Sequence, residues 1–357
     1  MERKFCKNCG NYGHLYRRCK KPILSYGIIL YKIDQVASEE KKIRILITCL
    51  GGRRALDLIN VLKKDKIYDY EIFGTDIKKN LKIKNKINKF YQVPKGQTKE
   101  FIKRIIEIIK KNQIKLAIFG TDEEVLNISK NRYLFKNLDC FIPIMEKKKL
   151  NIISNKLNLF KNLEKKKISL AKWNIIKNLS DLKKFSLKFK NNFVLKNADS
   201  RGGRNIFIID KKIKQPKKIS TGSQEIHLNY DDLLKKFNIK NKLRKNTYIA
   251  MEKLNRPAYD VDVLSLNGKI KKLIIRKRLF KDPYKKHSFS TNKKIKNYCE
   301  QITKSLKLSY LFDIDIMLDK NKNPKILEIN PRMSGTIYLT LKKVNLINYL
   351  YSLNKRI

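Results

Sequence analysis

Two carboxylates and one carboxamide near the end of the chain have the types and spacing of a metal site. Asp315 lies in an apolar run at 313–318, and Glu328 and Asn330 lie in or directly after a second run at 325–329. The turn-like segment between the runs predicts a hairpin that brings Asp315 within reach of Glu328. Glu328 and Asn330 are two residues apart and therefore share a face of their strand. These hard oxygen ligands suit Mg²⁺; the alternative is an ordinary hairpin with outward polar groups, but unpaired carboxylates among apolar neighbours are costly.

A strand that ends in lysine runs into a glycine-containing loop. Lys196 closes the apolar run 193–196, Gly202, Gly203 and Arg204 follow in the loop, and a further strand is expected at 205–209. Glycine lets backbone N–H groups approach a phosphate closely, and the lysine can reach a phosphate from the strand end. The segment indicates a phosphate-binding hairpin; a charged hairpin turn without a ligand is the alternative, and the Walker A spacing is not present.

Two more strand ends carry groups suited to a nucleotide. The edge at 248–252 continues into Lys253 and Leu254, where a backbone C=O and N–H can pair with a purine edge. The basic run Arg276-Lys277-Arg278 follows an apolar strand. Arginine in such a place can neutralise a transferring phosphoryl group or an acyl phosphate. In a chain with 84 Lys and Arg residues, a solvated basic run is the alternative.

The N-terminal cysteines have the spacing of a zinc site. Cys6, Cys9, His14 and Cys19 follow the pattern C-x2-C-x4-H-x4-C, and three thiolates with one imidazole suit tetrahedral Zn²⁺. The segment resembles the CCHC zinc knuckle, a reader of single-stranded nucleic acid, and also the module that opens Nudix hydrolases of large DNA viruses, although no Nudix box follows. Lys7 stands where such knuckles usually carry a stacking aromatic residue. Nucleic-acid contact and a structural or protein-docking role therefore both stay open.

The formal net charge of +52 admits two explanations. It indicates a polyanionic partner such as nucleic acid, or it is compositional drift, because Lys, Ile and Asn recur throughout the chain. No run approaches the roughly 18 apolar residues of a membrane span, and the charged, cysteine-rich start is not typical of a signal peptide. We expect no membrane partner, no disulfides and a reducing, cytoplasmic compartment (a viral factory if the chain is viral).

The elements that must position these residues change in character near residue 146. Over 43–145, strand patterns at 43–49, 70–75 and 116–120 alternate with helical patterns, which predicts a small parallel α/β domain. Over 146–357 the pattern is α+β, with strands expected at 193–196, 205–209, 248–252, 260–266, 271–276, 313–318 and 325–329, and helices at 293–304 and 339–351. Residues 1–34 are assigned to the knuckle and a short strand, and 35–42 to a linker.

Residues 43–340 resemble the ATP-grasp superfamily, most closely the branch of the carbamoyl-phosphate synthase large chain and biotin carboxylase. The resemblance lies in ILITCLGGRRALDL and IFGTDEEVL of the first domain, and in FVLKNADSRGGRNIF, MEKLNRPAYDVDVL and FDIDIMLDKNKNPKILEINPRMSGT of the second. It implies a Rossmann-like pre-ATP-grasp domain followed by an ATP-grasp fold. The chain departs from the family at Asn197, where proline is frequent, and at 282–288, where a glycine-containing loop is frequent, so its acceptor pocket is expected to differ.

The resemblance also implies roles for individual residues. Contacts to the ATP phosphates or to adenine are implied for Lys156 and Lys196, and Gly202, Gly203 and Arg204 are implied to cover the phosphates. Adenine contacts are implied for Glu252, Lys253 and Leu254, and a ribose contact for Asp260 or Asp262. Mg²⁺ is implied at Asp315, Glu328 and Asn330, and the substrate carboxylate and transferring phosphoryl group at Arg332 and Arg278.

The implied activity is an ATP- and Mg²⁺-dependent ligase that joins a small-molecule carboxylate to an amine or similar nucleophile through an acyl phosphate. One alternative is a nucleotide-binding, nucleic-acid-associated module with little or no turnover, whose knuckle binds RNA. A third possibility is a ligase for a carboxylate carried on nucleic acid or peptide, which the knuckle recruits. The intact set of Asp315, Glu328 and Asn330 favours catalysis.

Overall fold

The structure, a computed structural model, describes residues 41–79, 82–199, 205–218 and 225–354. Within these ranges the strands form three sheets, of four, six and five strands. No helix in these ranges is both long and apolar enough to cross a membrane. Two groups of predicted site residues lie outside the described residues, namely the zinc ligands Cys6, Cys9, His14 and Cys19 and the loop residues Gly202, Gly203 and Arg204.

The first part of the chain folds around a parallel sheet with the strand order β3-β2-β1-β4. Its elements are β1 (Lys42–Ile47), α1 (Ala55–Lys63), β2 (Asp69–Asp76), β3 (Lys89–Gln92), α2 (Lys99–Asn112), β4 (Leu116–Ile118) and α3 (Asp122–Lys130). Strand β1 is apolar on both faces, because Leu46 packs in the cluster that contains α2, whereas Ile45 and Ile47 pack with α1. Parallel strands covered on both sides show such continuous apolar runs. The predicted α/β character of this part is confirmed.

The six-stranded sheet has the order β5-β10-β6-β7-β9-β8. Its elements and flanking helices are α4 (Lys147–Ile153), α5 (Lys156–Lys165), β5 (Trp173–Ile176), α6 (Leu179–Lys188), β6 (Asn192–Asn197), β7 (Ile206–Asp210), β8 (Lys217–Lys218), β9 (Ile226–Leu228), α7 (Tyr230–Lys236), α8 (Ile239–Lys245) and β10 (Tyr248–Glu252). Strands β6 and β7 are antiparallel, with Lys196 opposite Ile206. The two strands predicted on either side of the glycine-containing loop are thus confirmed.

The five-stranded sheet is antiparallel, with the order β13-β12-β11-β14-β15. Its elements are β11 (Asn255–Leu266), β12 (Lys269–Arg278), β13 (His287–Ser290), α9 (Lys293–Ser305), β14 (Tyr310–Leu318) and β15 (Pro324–Asn330). Val261, Ile275, Ile314 and Ile329 are buried on one face, in the same apolar cluster as Ile302 of α9. Alternate residues of the same strands must point to the opposite face, and that face carries the polar groups described below.

The last part of the chain corrects one prediction. A single helix was expected at 339–351, but the structure has two, α10 (Ile337–Lys343) and α11 (Leu346–Asn354). The chain is extended at Val344 (φ −143°, ψ 111°), and the Asn345 side chain then accepts a hydrogen bond from the Ile347 N–H. Both helices pack on the first domain, in one apolar cluster with β1 and α1. The helical period alone did not reveal the break, because both halves carry a similar apolar pattern.

Candidate active site

The polar face of the five-stranded sheet carries its side chains in two rows. Across β11, β14 and β15 these are the row Asp260, Asp315, Glu328 and the row Asp262, Asp313, Asn330. Residues two apart on a strand share a face, so both rows project to the same side. The predicted cross-strand pairing of Asp315 with Glu328 is confirmed, and Asn330 lies on their side of the sheet.

A cleft of about 200 Å³ lies over this face. The predicted site residues that line it are Lys156, Lys196, Asp260, Arg278, Asp315, Glu328, Asn330 and Arg332. They come from the first residue of α5, from five strands and from the segment after β15. Tertiary structure therefore gathers into one cleft eight of the twelve predicted site residues that the structure describes.

Two buried lysines approach the cleft beside Glu328. Lys156 Nζ lies 2.9 Å from Glu328 Oε2, and Lys196, on β6, is 5% exposed. Burial and the nearby Lys156 charge lower the pKa of Lys196 to about 8. Burial alone raises the pKa of Glu328, but Lys156 and Lys196 outweigh it and lower that pKa to about 2. Glu328 is therefore an anion at neutral pH. Its contact, the Lys156 ammonium, is a group that can also bind a phosphate oxygen.

Arg278 neutralises two carboxylates at once. Its Nε donates to Asp260 Oδ1 at 2.8 Å, and a terminal nitrogen donates to Asp315 Oδ1 at 2.8 Å. Burial raises the pKa of Asp260, but the Arg278 and Arg276 charges outweigh that effect, so the pKa is lowered. The Arg278 side chain is 20% exposed, so this guanidinium can also meet a ligand in the cleft.

Asp313 lies deeper and is poorly compensated. Its Oδ2 accepts a hydrogen bond from Asn330 Nδ2 at 3.1 Å, while its Oδ1 has no hydrogen-bond partner among the described residues. Burial, together with the nearby Asp260 and Asp262, raises the pKa of Asp313 to about 8. Burial also raises the pKa of Asp315 well above its usual value. The raised pKa values mean that the positive charges nearby do not fully offset burial and the neighbouring carboxylates.

Asp262 has a different environment from its neighbours in the rows. It is 1% exposed, and Arg276 Nε donates to its Oδ2 at 2.9 Å. Ser334 donates to its Oδ1 at 2.9 Å and Thr340 to its Oδ2 at 2.5 Å. Because these bonds occupy both carboxylate oxygens, Asp262 holds the segment after β15 against the sheet and does not line the cleft. Of the two residues suggested for a ribose contact, only Asp260 lines the cleft.

Arg332 joins the cleft to the first domain. Its Nε lies 3.1 Å from Asp122 Oδ1, at the start of α3, and its terminal nitrogen donates to the Met333 carbonyl at 2.7 Å. The same side chain lines the polar cleft and a second cleft, of about 310 Å³, at the carboxyl ends of the parallel strands. The first domain therefore helps to position one of the predicted catalytic arginines.

The predicted adenine residues lie at the end of β10 and directly after it, between the six-stranded and the five-stranded sheet. Leu254 is 8% exposed in a small apolar cluster with Val194 and Met251. Lys253 Nζ lies 2.6 Å from Asp210 Oδ2, and the Glu252 carboxylate accepts a hydrogen bond from the Lys172 N–H at 2.9 Å. Apolar side chains next to strand-end polar groups are the kind of surroundings that a purine ring requires.

Sequence reasoning missed several residues that organise this site. Asp313, Asp122, Ser334, Thr336 and His287 carried no assigned role. His287, only 2% exposed in its side chain, lies 3.4 Å from Asp260 Oδ2 and 3.3 Å from an Arg276 nitrogen. Only Asp313 had a usable signal, because it alternates with Asp315 in an otherwise apolar strand. Asp122 and His287 lie at the first positions of α3 and β13, and Ser334 and Thr336 lie in the segment between β15 and α10. Strand periodicity does not specify where these positions meet the sheet.

Family models match two separate parts of the chain. The model described as ATP-grasp in the biosynthetic pathway with Ter operon matches residues 244–355, and the model described as PylC-like, N-terminal domain, matches residues 45–145. No curated protein sequence matches the chain significantly.

Solved structures with the same architecture include three enzymes. N5-carboxyaminoimidazole synthetase from Staphylococcus aureus, complexed with ADP, has a TM-score of 0.59 at 13% sequence identity, covering 84% of this chain and 73% of that chain. L-amino acid ligase from Bacillus licheniformis has a TM-score of 0.57 at 12% identity, covering 83% and 68%. The biotin carboxylase domain of the Hydrogenobacter thermophilus 2-oxoglutarate carboxylase, in complex with MgADP, ADP and bicarbonate, has a TM-score of 0.61 at 14% identity, covering 86% and 68%.

The class of protein follows from these matches and from the sheets described above. The chain has the fold of the ATP-grasp superfamily. In the part of the chain that the structure describes, an N-terminal α/β domain, similar over residues 45–145 to the PylC-like N-terminal domain, precedes an ATP-grasp domain. At these levels of identity the solved structures establish the fold, and the chemistry must be argued from the cleft.

Proposed function

We propose that this protein is an ATP- and Mg²⁺-dependent ligase that joins a carboxylate to an amine or similar nucleophile through an acyl phosphate. The observation that carries the proposal is one cleft in which four cationic side chains meet three oxygen ligands suited to a metal. The cations are Lys156, Lys196, Arg278 and Arg332, and the ligands are Asp315, Glu328 and Asn330. The similarity in fold to an L-amino acid ligase and to an ADP-bound synthetase supports it.

The oxygen groups fit a divalent cation. Asp315 and Glu328 are cross-strand neighbours. Asn330 donates its N–H to Asp313, which leaves its carbonyl oxygen for a metal. When bound there, Mg²⁺ would neutralise charge on the ATP phosphates and orient them. Lys156 and Lys196 would hold the same phosphates, and Lys156 would then exchange its contact with Glu328 for a phosphate oxygen.

The chemistry consists of two substitutions. First, an oxygen of the substrate carboxylate forms a bond to the γ-phosphorus while the bond from that phosphorus to the β,γ-bridging oxygen breaks, so that ADP leaves. The amine nitrogen then forms a bond to the acyl carbon, the bond from that carbon to the phosphate oxygen breaks, and phosphate leaves as the amine loses a proton to solvent. Arg332 orients the carboxylate and Arg278 stabilises the transferring phosphoryl group, both by fixed positive charge in a water-poor cleft.

The test is ADP release from Mg-ATP in the presence of pools of amino acids and other small carboxylates. We expect substrate-dependent ADP that disappears in Glu328→Ala and on chelation of Mg²⁺. Glu300→Ala is the matched control, because Glu300 lies on the outer side of α9 with a side chain 46% exposed. Full ATP turnover in Glu328→Ala would contradict the proposal. Nucleotide binding with no turnover on any pool would instead favour the alternative of a nucleotide-binding module.

We further propose that residues 1–34 hold Zn²⁺ through Cys6, Cys9, His14 and Cys19 and that this knuckle contacts single-stranded nucleic acid. Support comes from the ligand spacing alone. One zinc per chain by elemental analysis, lost in Cys6→Ser/Cys9→Ser, is the expected result. Deletion of 1–34 should spare ATP hydrolysis and weaken binding of a single-stranded RNA probe. If the deletion also abolishes ligation only of a tethered carboxylate, the knuckle recruits the substrate.

A further inference from the structure

A cleft of about 480 Å³ lies at the amino ends of the parallel strands. One wall of this amino-end cleft is the segment 64–68, which leads into β2, and the other is the junction of α10 and α11. The cleft that shares Arg332 with the nucleotide site lies instead at the carboxyl ends of these strands. The residues of the amino-end cleft therefore take no part in the proposed ligase reaction.

The amino-end cleft carries an excess of positive charge. The exposed cations that line it are Lys64, Lys66, Lys342 and Lys343. Within the described part of the chain, none of these four forms an ion pair with an acid. Asp65 is the one acid among the described lining residues, and its carboxylate accepts hydrogen bonds from Asn345 at 2.7 Å and from Asn348 at 3.0 Å. Asp65 thus ties the two walls together, and the lysine ammonium groups are left for an anion.

Two tyrosine rings line the same cleft. Tyr68 and Tyr349 are both partly buried, and Lys272 Nζ lies 4.5 Å from the centroid of the Tyr349 ring. Beside the cleft, Lys343 Nζ lies 4.7 Å from the ring centroid of Phe289, which is 45% exposed. Interleaved rings and cations are typical of surfaces that bind single-stranded nucleic acid, because the rings stack on bases while the cations meet phosphates.

The amino-end cleft also lies beside the start of the described chain. Lys42, in β1, pairs with Asp69, which directly follows Tyr68. Residues 1–40, with the proposed zinc knuckle, therefore join the fold at this end of the sheet. The 22 residues between Cys19 and Lys42 span at most roughly 75 Å when extended. A strand held by the knuckle is thus within reach of the cleft.

We propose that the amino-end cleft binds single-stranded nucleic acid, with bases against Tyr68 and Tyr349 and phosphates at the four lysines. This contact lies on the folded body and is separate from the one proposed for the knuckle. Neither ATP nor the ligase reaction takes part in it. At this surface the positive charge of the chain has a function, whereas lysines elsewhere are explained by composition.

Compositional drift alone makes a different prediction. Lys183 and Lys184, on α6, are an adjacent pair of exposed lysines that line none of the clefts described above. If nucleic acid binds wherever lysines are dense, neutralising this pair weakens binding as much as neutralising Lys342 and Lys343. If the amino-end cleft is the site, only the second pair matters.

The experiment measures binding of a short fluorescein-labelled oligouridylate to the full-length, zinc-loaded chain by fluorescence anisotropy. Lys342→Gln/Lys343→Gln should weaken binding at least tenfold. It should also lower the slope of log affinity against log salt by about 1.4, because each phosphate contact on a single strand contributes about 0.7. The matched control, Lys183→Gln/Lys184→Gln, should stay within about twofold of wild type.

Stacking is tested separately at Tyr349. Tyr349→Leu should weaken binding about tenfold, whereas Tyr349→Phe keeps the ring and should match wild type. Thermal melting by circular dichroism checks that each variant is folded. The lysine pair and Tyr349→Phe keep the test decisive if Tyr349→Leu does not fold, because all three of these side-chain changes are conservative in size.

Three results would overturn the inference. Equal weakening by the two lysine pairs, or full competition by polyglutamate of matched charge, would mean that only overall charge is read. Displacement by uridine monophosphate at an equal concentration of nucleotide units would mean that the cleft takes a free nucleotide. Repeating the series in Cys6→Ser/Cys9→Ser separates the two contacts, because the effects of the cleft variants should persist there. Effects that vanish would assign all binding to the knuckle, and neither result depends on ATP turnover.

Discussion

Two Asp–Arg pairs lie side by side on β11 and β12 and have different environments. Asp262 and Arg276 are 1% and 0% exposed, and Ser334 and Thr336 accept the remaining Arg276 donors at 2.9 and 2.6 Å. Asp260, two residues before Asp262, and Arg278, two residues after Arg276, lie at the cleft, and Arg278 is shared with Asp315. The first pair is saturated by its own protein, whereas the second has capacity left for a ligand. Two residues along a strand, one strand period, thus separate an ion pair closed off inside the protein from one that lines the cleft.

The largest effect should come from the saturated pair. Arg276→Met leaves Asp262 buried without its cation, and we expect the free energy of unfolding to fall by about 3–5 kcal/mol. Urea denaturation measures it. The double variant Asp262→Leu/Arg276→Met should lose less than the single variant, because the uncompensated charge is gone. A single variant as stable as wild type would mean that Arg276 does not hold the segment after β15.

The cleft pair should affect turnover more than stability. Arg278→Met removes the positive charge that we propose stabilises the transferring phosphoryl group. We expect turnover to fall by about 100-fold. MgADP affinity, measured by calorimetry, should change little, because we assign the phosphates to Lys156 and Lys196. The unfolding free energy should fall less than in Arg276→Met. The reverse order of the two stabilities would contradict the division into a structural and a functional pair.

The titration of Lys196 should lower MgADP affinity by up to tenfold per pH unit. Its pKa of about 8 means that the ammonium is lost above pH 8, so MgADP affinity should decline from there. In Lys196→Arg the decline should vanish, because arginine stays charged. Over the window from pH 8 to about 10.4 the unfolded chain binds more protons at this site than the folded chain, so the contribution of Lys196 to stability rises with pH. A pH-independent wild-type affinity would reject the assignment of Lys196 to the phosphates.

The smallest effect on stability should come from an exposed ion pair that lies neither in the buried Asp262–Arg276 cluster nor at the cleft. Arg104 and Glu107, on α2, lie 2.9 Å apart with side chains 42% and 62% exposed. Solvent screens such a pair, so Glu107→Gln should change the unfolding free energy by less than about 0.5 kcal/mol. Denaturation midpoints for this variant set the baseline for the Arg276 measurement. A loss comparable to that of Arg276→Met would show that burial does not control the difference.

Much of this site was accessible from sequence. The alternation in DIDI and LEIN correctly predicted that Asp315 meets Glu328 and that Asn330 shares their side, because a strand alternates faces regardless of its partners. The glycine-containing hairpin around Lys196 and the α/β to α+β transition were also correct. Lys156 was assigned only through family resemblance, since no local pattern marks a lysine that opens a helix and reaches a carboxylate 172 residues away.

The sequence by itself determined which side chains share a face, because residue spacing and backbone geometry are local properties. Tertiary structure alone decided which strands lie beside the two predicted hairpins, and so which carboxylates share an arginine. It separated Asp262, which is closed off by Ser334 and Thr340, from Asp260, which opens on the cleft. It also placed Asp122 of the first domain against Arg332. Compensation of buried charge depends on distances across the sheet and between domains, and the order of residues along the chain does not specify those distances.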